Sequence, residues 1–132
     1  MIIPTTKPYI PMEDEEEIIR CMREIISSGR FMKGKFISAF EEEFARFVGV
    51  KYAIAVSSGT AALEIVYRYY DVAGKEVVTP TNTFIATSNA VLFARGRPVL
   101  SEIDPETLCL DIRDVEKRIT ERTRGVVLVH VA

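Results

Sequence analysis

The 132-residue sequence has only two cysteines, Cys21 and Cys109, and neither belongs to a Cys-x-x-Cys pair. That excludes a zinc-ligand spacing and a redox dithiol, so no metal site is expected, and two isolated thiols suit a reducing compartment. Long apolar runs are missing too: nothing approaches the roughly eighteen residues of a membrane span. The N-terminus, broken by Pro4, Pro8 and Pro11, lacks the uninterrupted apolar core of a secretion signal, and a cytoplasmic location is expected. Charge of one sign is also lacking. Lys and Arg number 17 against 19 Asp and Glu, a net charge of −2, which argues against partners bound through bulk charge, whether nucleic acid or an anionic membrane. There is no internal repeat and no low-complexity tract.

What is present suits one folded domain. Hydrophobic residues make up 48% and charged residues 27%, a balance that places the chain among globular proteins rather than disordered or membrane-embedded ones. The length suffices for a single core. The C-terminal run Gly125-Val126-Val127-Leu128-Val129-His130-Val131-Ala132 has no closing turn, so the expectation is a single incomplete α/β domain over residues 1–132.

Residues 1–11 should run extended, because proline removes backbone donors and biases its predecessor away from helix. Ile18, Met22, Ile25 and Ile26 then recur at helical spacing, after an acidic run at 13–17 and before Gly29. Acids in a first turn and a glycine past the last suit a helix. In a second helix Phe36, Phe40, Phe44 and Phe47 share one stripe, and Gly49 ends it. That stripe predicts packing on its own domain, with a subunit interface as the alternative. Residues 1–50 are thus an arm and two helices.

Over 51–132 the period alternates. Tyr52–Val56 reads as a short buried strand, Ser57–Thr60 as a turn and Ala61–Tyr70 as a helix. Glu76–Thr79 is a strand stopped by Pro80, and Thr81, Asn82 and Thr83 offer caps for a helix over Phe84–Ala94. Pro98-Val99-Leu100 begins a third strand. Asp111 is placed to cap a helix through Ile119, with Asp114 in a capping-box position, and Val126–Val131 is the fourth strand. Short all-apolar strands alternating with helices predict an α/β fold: three layers, with a mainly parallel sheet of about four strands flanked by helices and preceded by two N-terminal helices.

Parallel sheets bind ligands beyond the carboxyl ends of their strands. The loop Val56-Ser57-Ser58-Gly59-Thr60-Ala61-Ala62 passes from strand into helix through small and hydroxyl residues. Small side chains let an anion approach the backbone, and the first helical N–H groups lack intrahelical acceptors. This is chemistry for a phosphate; the equal alternative is that Ser58 and Thr60 only cap the helix. Neither Gly-x-Gly-x-x-Gly nor Gly-Lys-Ser/Thr is present, which excludes a dinucleotide fingerprint and an ATP phosphate loop. Phe84, beyond Pro80, offers a ring to stack on a flat heteroaromatic ligand; the alternative is an ordinary core phenylalanine. A phosphate site plus a stacking ring fits pyridoxal phosphate, while a generic phosphate-binding module explains the first loop alone.

The motif order adds to this. Ser57-Ser58-Gly59-Thr60-Ala61-Ala62-Leu63 precedes Thr79-Pro80-Thr81-Asn82-Thr83-Phe84-Ile85-Ala86-Thr87, followed by Pro98-Val99, Ile103-Asp104, Thr107 and Asp111. Ile119-Thr120-Glu121-Arg122-Thr123 and Val129-His130 complete the series. This order resembles the start of DegT/StrS-type aminotransferases, pyridoxal-phosphate enzymes that aminate nucleotide-linked keto-sugars. The resemblance implies the N-terminal part of a fold-type I large domain, with Gly59, Thr60 and Ala61 at the cofactor phosphate and Phe84 on the pyridine ring. It implies a nucleotide-sugar substrate, an amino-acid donor and a homo-oligomer, and it makes Lys7, Tyr9 and Phe31 candidates for the substrate side. Glu102, Lys75 and Arg95-Gly96 depart from the family pattern.

The family's Schiff-base lysine and the aspartate that pairs with the pyridine nitrogen have no counterpart in a matching motif here. No catalytic residue is therefore assigned, and the chain alone is expected to be inert. His130 reads as structural. A sugar dehydratase of the same family, or a non-catalytic oligomeric fragment, stand as alternatives.

Overall fold

The computed structural model describes residues 8–130. The chain divides into two units between Ala55 and Val56. In the first, helix α1 spans Met12–Ser28 and α2 spans Lys35–Val48. Glu13, Asp14 and Glu15 occupy the first turn of α1, where carboxylates complement the free N–H groups. Gly29 ends α1 in the left-handed region at φ 65°, and Gly49 ends α2 at φ 77°.

Two expectations fail in this unit. The phenylalanine stripe forms, and the Phe40 and Phe44 rings lie 5.6 Å apart. Yet Phe40, Phe44 and Phe47 are exposed, and Ala45 is the buried residue of α2. The stripe therefore enters no core among the described residues. Tyr52–Val56, expected as a buried strand, forms no regular element and pairs with no strand among the described residues, and Tyr52 and Ile54 are exposed. An apolar run becomes a strand only where a neighbour supplies the hydrogen-bond ladder. Here the Glu41 carboxylate accepts from the Ala55 amide instead, at 2.8 Å.

The second unit alternates as expected: α3 (Gly59–Tyr69), β1 (Glu76–Pro80), α4 (Ala86–Phe93), β2 (Arg97–Ser101), α5 (Ile112–Arg118) and β3 (Thr123–Val126). The sheet has three strands in the order β2-β1-β3, all parallel. Val78 of the central strand pairs with Val99 on one side and Val126 on the other. Every residue of β1 is buried. Val77 packs with Tyr67, Val72, Ala90, Val91 and Ala94, while Val78 packs with Leu110, Val115 and Val99. Successive strand residues face opposite sides, so both sides of β1 are covered by helices. The three-layer parallel α/β class is as the sequence predicts. The last strand starts earlier than expected and ends at Val126; Val127 adds one link, its amide donating to Val78 at 2.9 Å.

Helix ends carry further corrections. No side chain caps α4, so Thr81, Asn82 and Thr83 do not act as its caps. Thr83 and Thr87 instead share a hydroxyl hydrogen bond of 2.8 Å. Asp111 caps α5 as expected, accepting from the Arg113 amide at 2.9 Å. Asp114 closes no capping box. Its Oδ2 accepts from the Glu102 amide at 2.9 Å, Ser101 Oγ at 3.1 Å and Arg118 Nε at 3.1 Å, tying α5 to the end of β2. Among the described residues no helix is long and apolar enough to cross a membrane.

Three carboxylates make this unit acid-sensitive. The Thr120 hydroxyl, with Arg122 and Arg97, lowers the Glu76 pKa against the effect of burial. The amides of Thr107 and Glu106 lower Asp104, and the Glu102 amide and Arg118 lower Asp114. Each group titrates lower in the folded chain than in the unfolded one, so the unfolded chain binds more protons in acid. Their stabilisation is complete above the ordinary carboxylate range of about pH 4–4.5 and is lost as pH falls through the folded values. The melting temperature is expected to be level from pH 7 to about 5 and to fall below about 4. A Glu76→Gln variant should melt lower at pH 7 and show a shallower acid limb.

Candidate functional site

Helix α3 begins where Ser58, extended at φ −164°, turns into the first helical residue. Its Oγ accepts from the Ala61 amide at 3.1 Å, and its carbonyl accepts from Ala62. The capping role weighed for Ser58 is therefore real. It satisfies one of the free N–H groups of the first turn and leaves others: the Gly59 and Thr60 amides donate to no acceptor among the described residues. The Thr60 hydroxyl is likewise without a partner there, so Thr60 does not cap. Gly59 is exposed, and a side chain at its position would meet nothing within 4 Å. Thr60 and Ala61 are half-buried.

Helix α3 is firmly held. Tyr67 is buried against α4 and donates to the Thr87 carbonyl at 3.4 Å, and burial raises its phenol pKa. Arg68 donates to Glu64 at 2.8 Å and to the Phe93 carbonyl at 2.9 Å. Leu63 packs on the same core as Val77. Two unpaired amides thus stand at the positive end of an 11-residue helix whose body is fixed to the sheet layer.

Phe84 lies in the loop that leaves the carboxyl end of β1. It is 77% exposed, which rules out the ordinary core role. The loop itself is anchored: the Thr81 amide donates to Ser101 at 3.0 Å, the Thr87 amide donates to the Phe84 carbonyl at 3.0 Å, and Thr79 Oγ1 lies 3.4 Å from Ser88 Oγ. An aromatic ring in solvent on a pinned loop has a free face for a ligand. The loop after β2 is organised by Asp104, whose Oδ1 accepts from the Glu106 and Thr107 amides at 2.8 and 2.9 Å. Glu102, one of the family departures, keeps its place through its backbone, donating to Asp114 and accepting from the Asp111 amide.

Free amides, a free hydroxyl, open space over Gly59 and an exposed ring fit a small aromatic phosphate. Tyr9 and Phe31 are exposed in the first unit, Lys7 lies outside the described residues, and His130 is exposed. The Asp114 clamp between α5 and β2 escaped sequence reasoning because its partners lie 12 and 13 positions away, beyond any capping spacing.

The profile described as the DegT/DnrJ/EryC1/StrS aminotransferase family matches residues 12–132. The chain is 37% identical over 123 residues to a dTDP-3-amino-3,6-dideoxy-alpha-D-galactopyranose transaminase of Aneurinibacillus thermoaerophilus, covering 92% of this chain and 34% of that protein. It is 35% identical over 131 residues to a 3-oxo-glucose-6-phosphate:glutamate aminotransferase of Bacillus subtilis, covering 94% and 30%. Among solved structures, NtdA from Bacillus subtilis with bound cofactor PMP superposes with a TM-score of 0.87 at 35% identity, covering 92% of this chain and 28% of that one. The chain spans about a third of the length of the curated relatives it matches.

Proposed function

The chain belongs to the DegT/DnrJ/EryC1/StrS aminotransferase family, and we propose that it forms the phosphate-holding part of an aminotransferase acting on nucleotide-linked keto-sugars in polysaccharide or amino-sugar biosynthesis. The family's aminotransferases depend on pyridoxal phosphate. One observation carries the reading: the Gly59 and Thr60 amides are unpaired at a helix start with open space over Gly59. In this role Gly59 and Thr60 hold the cofactor phosphate by their backbone N–H groups and the Thr60 hydroxyl, and Ala61, whose amide donates to Ser58 Oγ, lines the site with a small side chain. Phe84 covers a face of the pyridine ring and keeps water from it. When bound, the cofactor supplies the electron sink for moving an amino group.

The amino donor in this reading is an amino acid, with glutamate favoured by the name of the Bacillus subtilis relative. No residue of this chain is assigned the Schiff-base or ring-nitrogen role: Lys33, Lys35 and Lys51 belong to the first unit, Lys75 adjoins the amino end of β1 and Lys117 lies on α5, so in this reading the chain alone is inert. The exposed stripe of Phe40, Phe44 and Phe47 supports a homo-oligomer, because faces of this kind are commonly covered by another chain. A cytoplasmic setting agrees with the two free cysteines.

Thr60→Val tests the reading, because it removes the hydroxyl while keeping the shape. One hydrogen bond to a charged group contributes about 1.5–3 kcal/mol, so pyridoxal phosphate should bind about tenfold or more weakly, with the melting temperature nearly unchanged. Equal affinity of wild type and variant in an absorbance titration overturns the assignment.

A further inference from the structure

At the opposite ends of the strands from the loops 81–85 and 102–111, Gly74, Glu76, Arg95, Gly96, Arg97 and Arg122 line a groove of about 320 Å³. The Glu76 side chain is 6% exposed there. It accepts from Thr120 Oγ1 at 2.7 Å, Arg122 at 2.9 Å and Arg97 at 3.5 Å. Each of these arginines reaches Glu76 through one terminal nitrogen, and their side chains are 66% and 69% exposed. A guanidinium carries five N–H donors, so most donors of both stay free for a ligand.

Arg95 adds the third cation in an unusual way. It sits at φ 62°, the left-handed region that glycine enters freely and a residue with a β-carbon does not. It ends α4 in a Schellman arrangement: the Gly96 amide donates to Val91 at 2.8 Å and the Arg95 amide to Leu92 at 2.9 Å. Arginine occupies the position where glycine is the ordinary residue. Its guanidinium makes no ion pair or hydrogen bond among the described residues, yet it lines the groove. A strained backbone position that presents an unspent cation to a groove points to a ligand. Three arginines against one glutamate leave two positive charges uncompensated.

We propose that this groove is a binding site for a tetrahedral dianion of the phosphate class, separate from the helix-start site on α3. Two charges match the uncompensated pair, and planar guanidinium forks suit phosphate oxygens two at a time. Glu76 in this arrangement is not a ligand. It steadies Arg97 and Arg122 from beneath, as a buried counter-charge held by Thr120.

The probe is inorganic phosphate, followed in amide nitrogen–proton spectra at constant ionic strength, because site-resolved signals separate this groove from Gly59 and Thr60. Saturable shifts are expected at Gly74, Gly96 and Arg122. Arg95→Gly relieves the left-handed strain and so keeps the fold. It should weaken those shifts by about five- to tenfold, the scale of one partly exposed charged contact, while signals at Gly59 and Thr60 respond as in wild type. No saturable shift at the groove, the same shifts with chloride, or an unchanged affinity in Arg95→Gly would each overturn the proposal.

Discussion

Phe84→Ala is expected to weaken pyridoxal phosphate binding by roughly 10- to 100-fold and to leave the melting temperature within about 2 °C of wild type, on the values of stacking and burial combined. The ring is 77% exposed in the protein, so its loss removes little packing. Stacking geometry contributes about 0.5–1.5 kcal/mol beyond area, and covering one face of a free ring adds a similar amount at about 25 cal/mol per Å². Phe84→Tyr should retain most of the affinity, because it keeps the ring. A titration of all three proteins, paired with thermal melts, checks this. Were Phe84 a structural residue, the melting temperature would drop and the affinity would follow it only through unfolding.

Gly96→Ala is expected to act in the opposite way, lowering stability by about 1–3 kcal/mol, the usual cost of overpacking. A β-carbon at position 96 would stand 2.9 Å from Val91 Cγ1 and 3.1 Å from both Val72 Cγ2 and the Val72 carbonyl oxygen. Val72 and Val91 belong to the core that also holds Val77, so neither yields easily, and the carbonyl is backbone. For a small domain the melting temperature falls by about 4–8 °C per kcal/mol. Combining Gly96→Ala with Val91→Ala should cost less than the sum of the two, because the second change removes the closest contact. Strict additivity would mean that the Val72 carbonyl, not the Val91 side chain, sets the cost.

These two positions also show what a sequence reading reaches. The Gly59-Thr60-Ala61 turn and Phe84 stand out in sequence because the residue types themselves carry the chemistry. Small residues before a helix expose amides, and an aromatic after a strand-ending proline leaves the sheet. The buried strand Glu76–Pro80 is legible for a similar reason, since the β-branched run Val77-Val78-Thr79 between Gly74 and Pro80 has few alternatives. Gly96 stands out in the sequence only as part of the Arg95-Gly96 departure from the family pattern. Its tightness depends on Val72, 24 positions earlier, which no local pattern encodes.

The failures share one physical cause. Tyr52–Val56 has the composition of a strand and Phe36–Phe47 the periodicity of a packed helix, yet composition and periodicity describe only one side of a contact. Neither segment meets its full counterpart among the described residues, so the first stays unpaired, and Phe40, Phe44 and Phe47 of the second stay exposed. Asp114 illustrates the same limit on a smaller scale. Its spacing from Asp111 suited a capping box, but the Glu102 amide and Ser101 hydroxyl at the end of β2 offered stronger partners once the fold brought them near.

The proposed role of the α3 start is to hold the phosphate of pyridoxal phosphate. It is tested most directly by titrating the cofactor into the protein while following individual backbone amides. The largest saturable shifts are expected at Gly59 and Thr60, and the Phe84 ring protons are expected to move at the same cofactor concentration. Binding that leaves the Gly59 and Thr60 amides unmoved, or shifts them without Phe84, would contradict it.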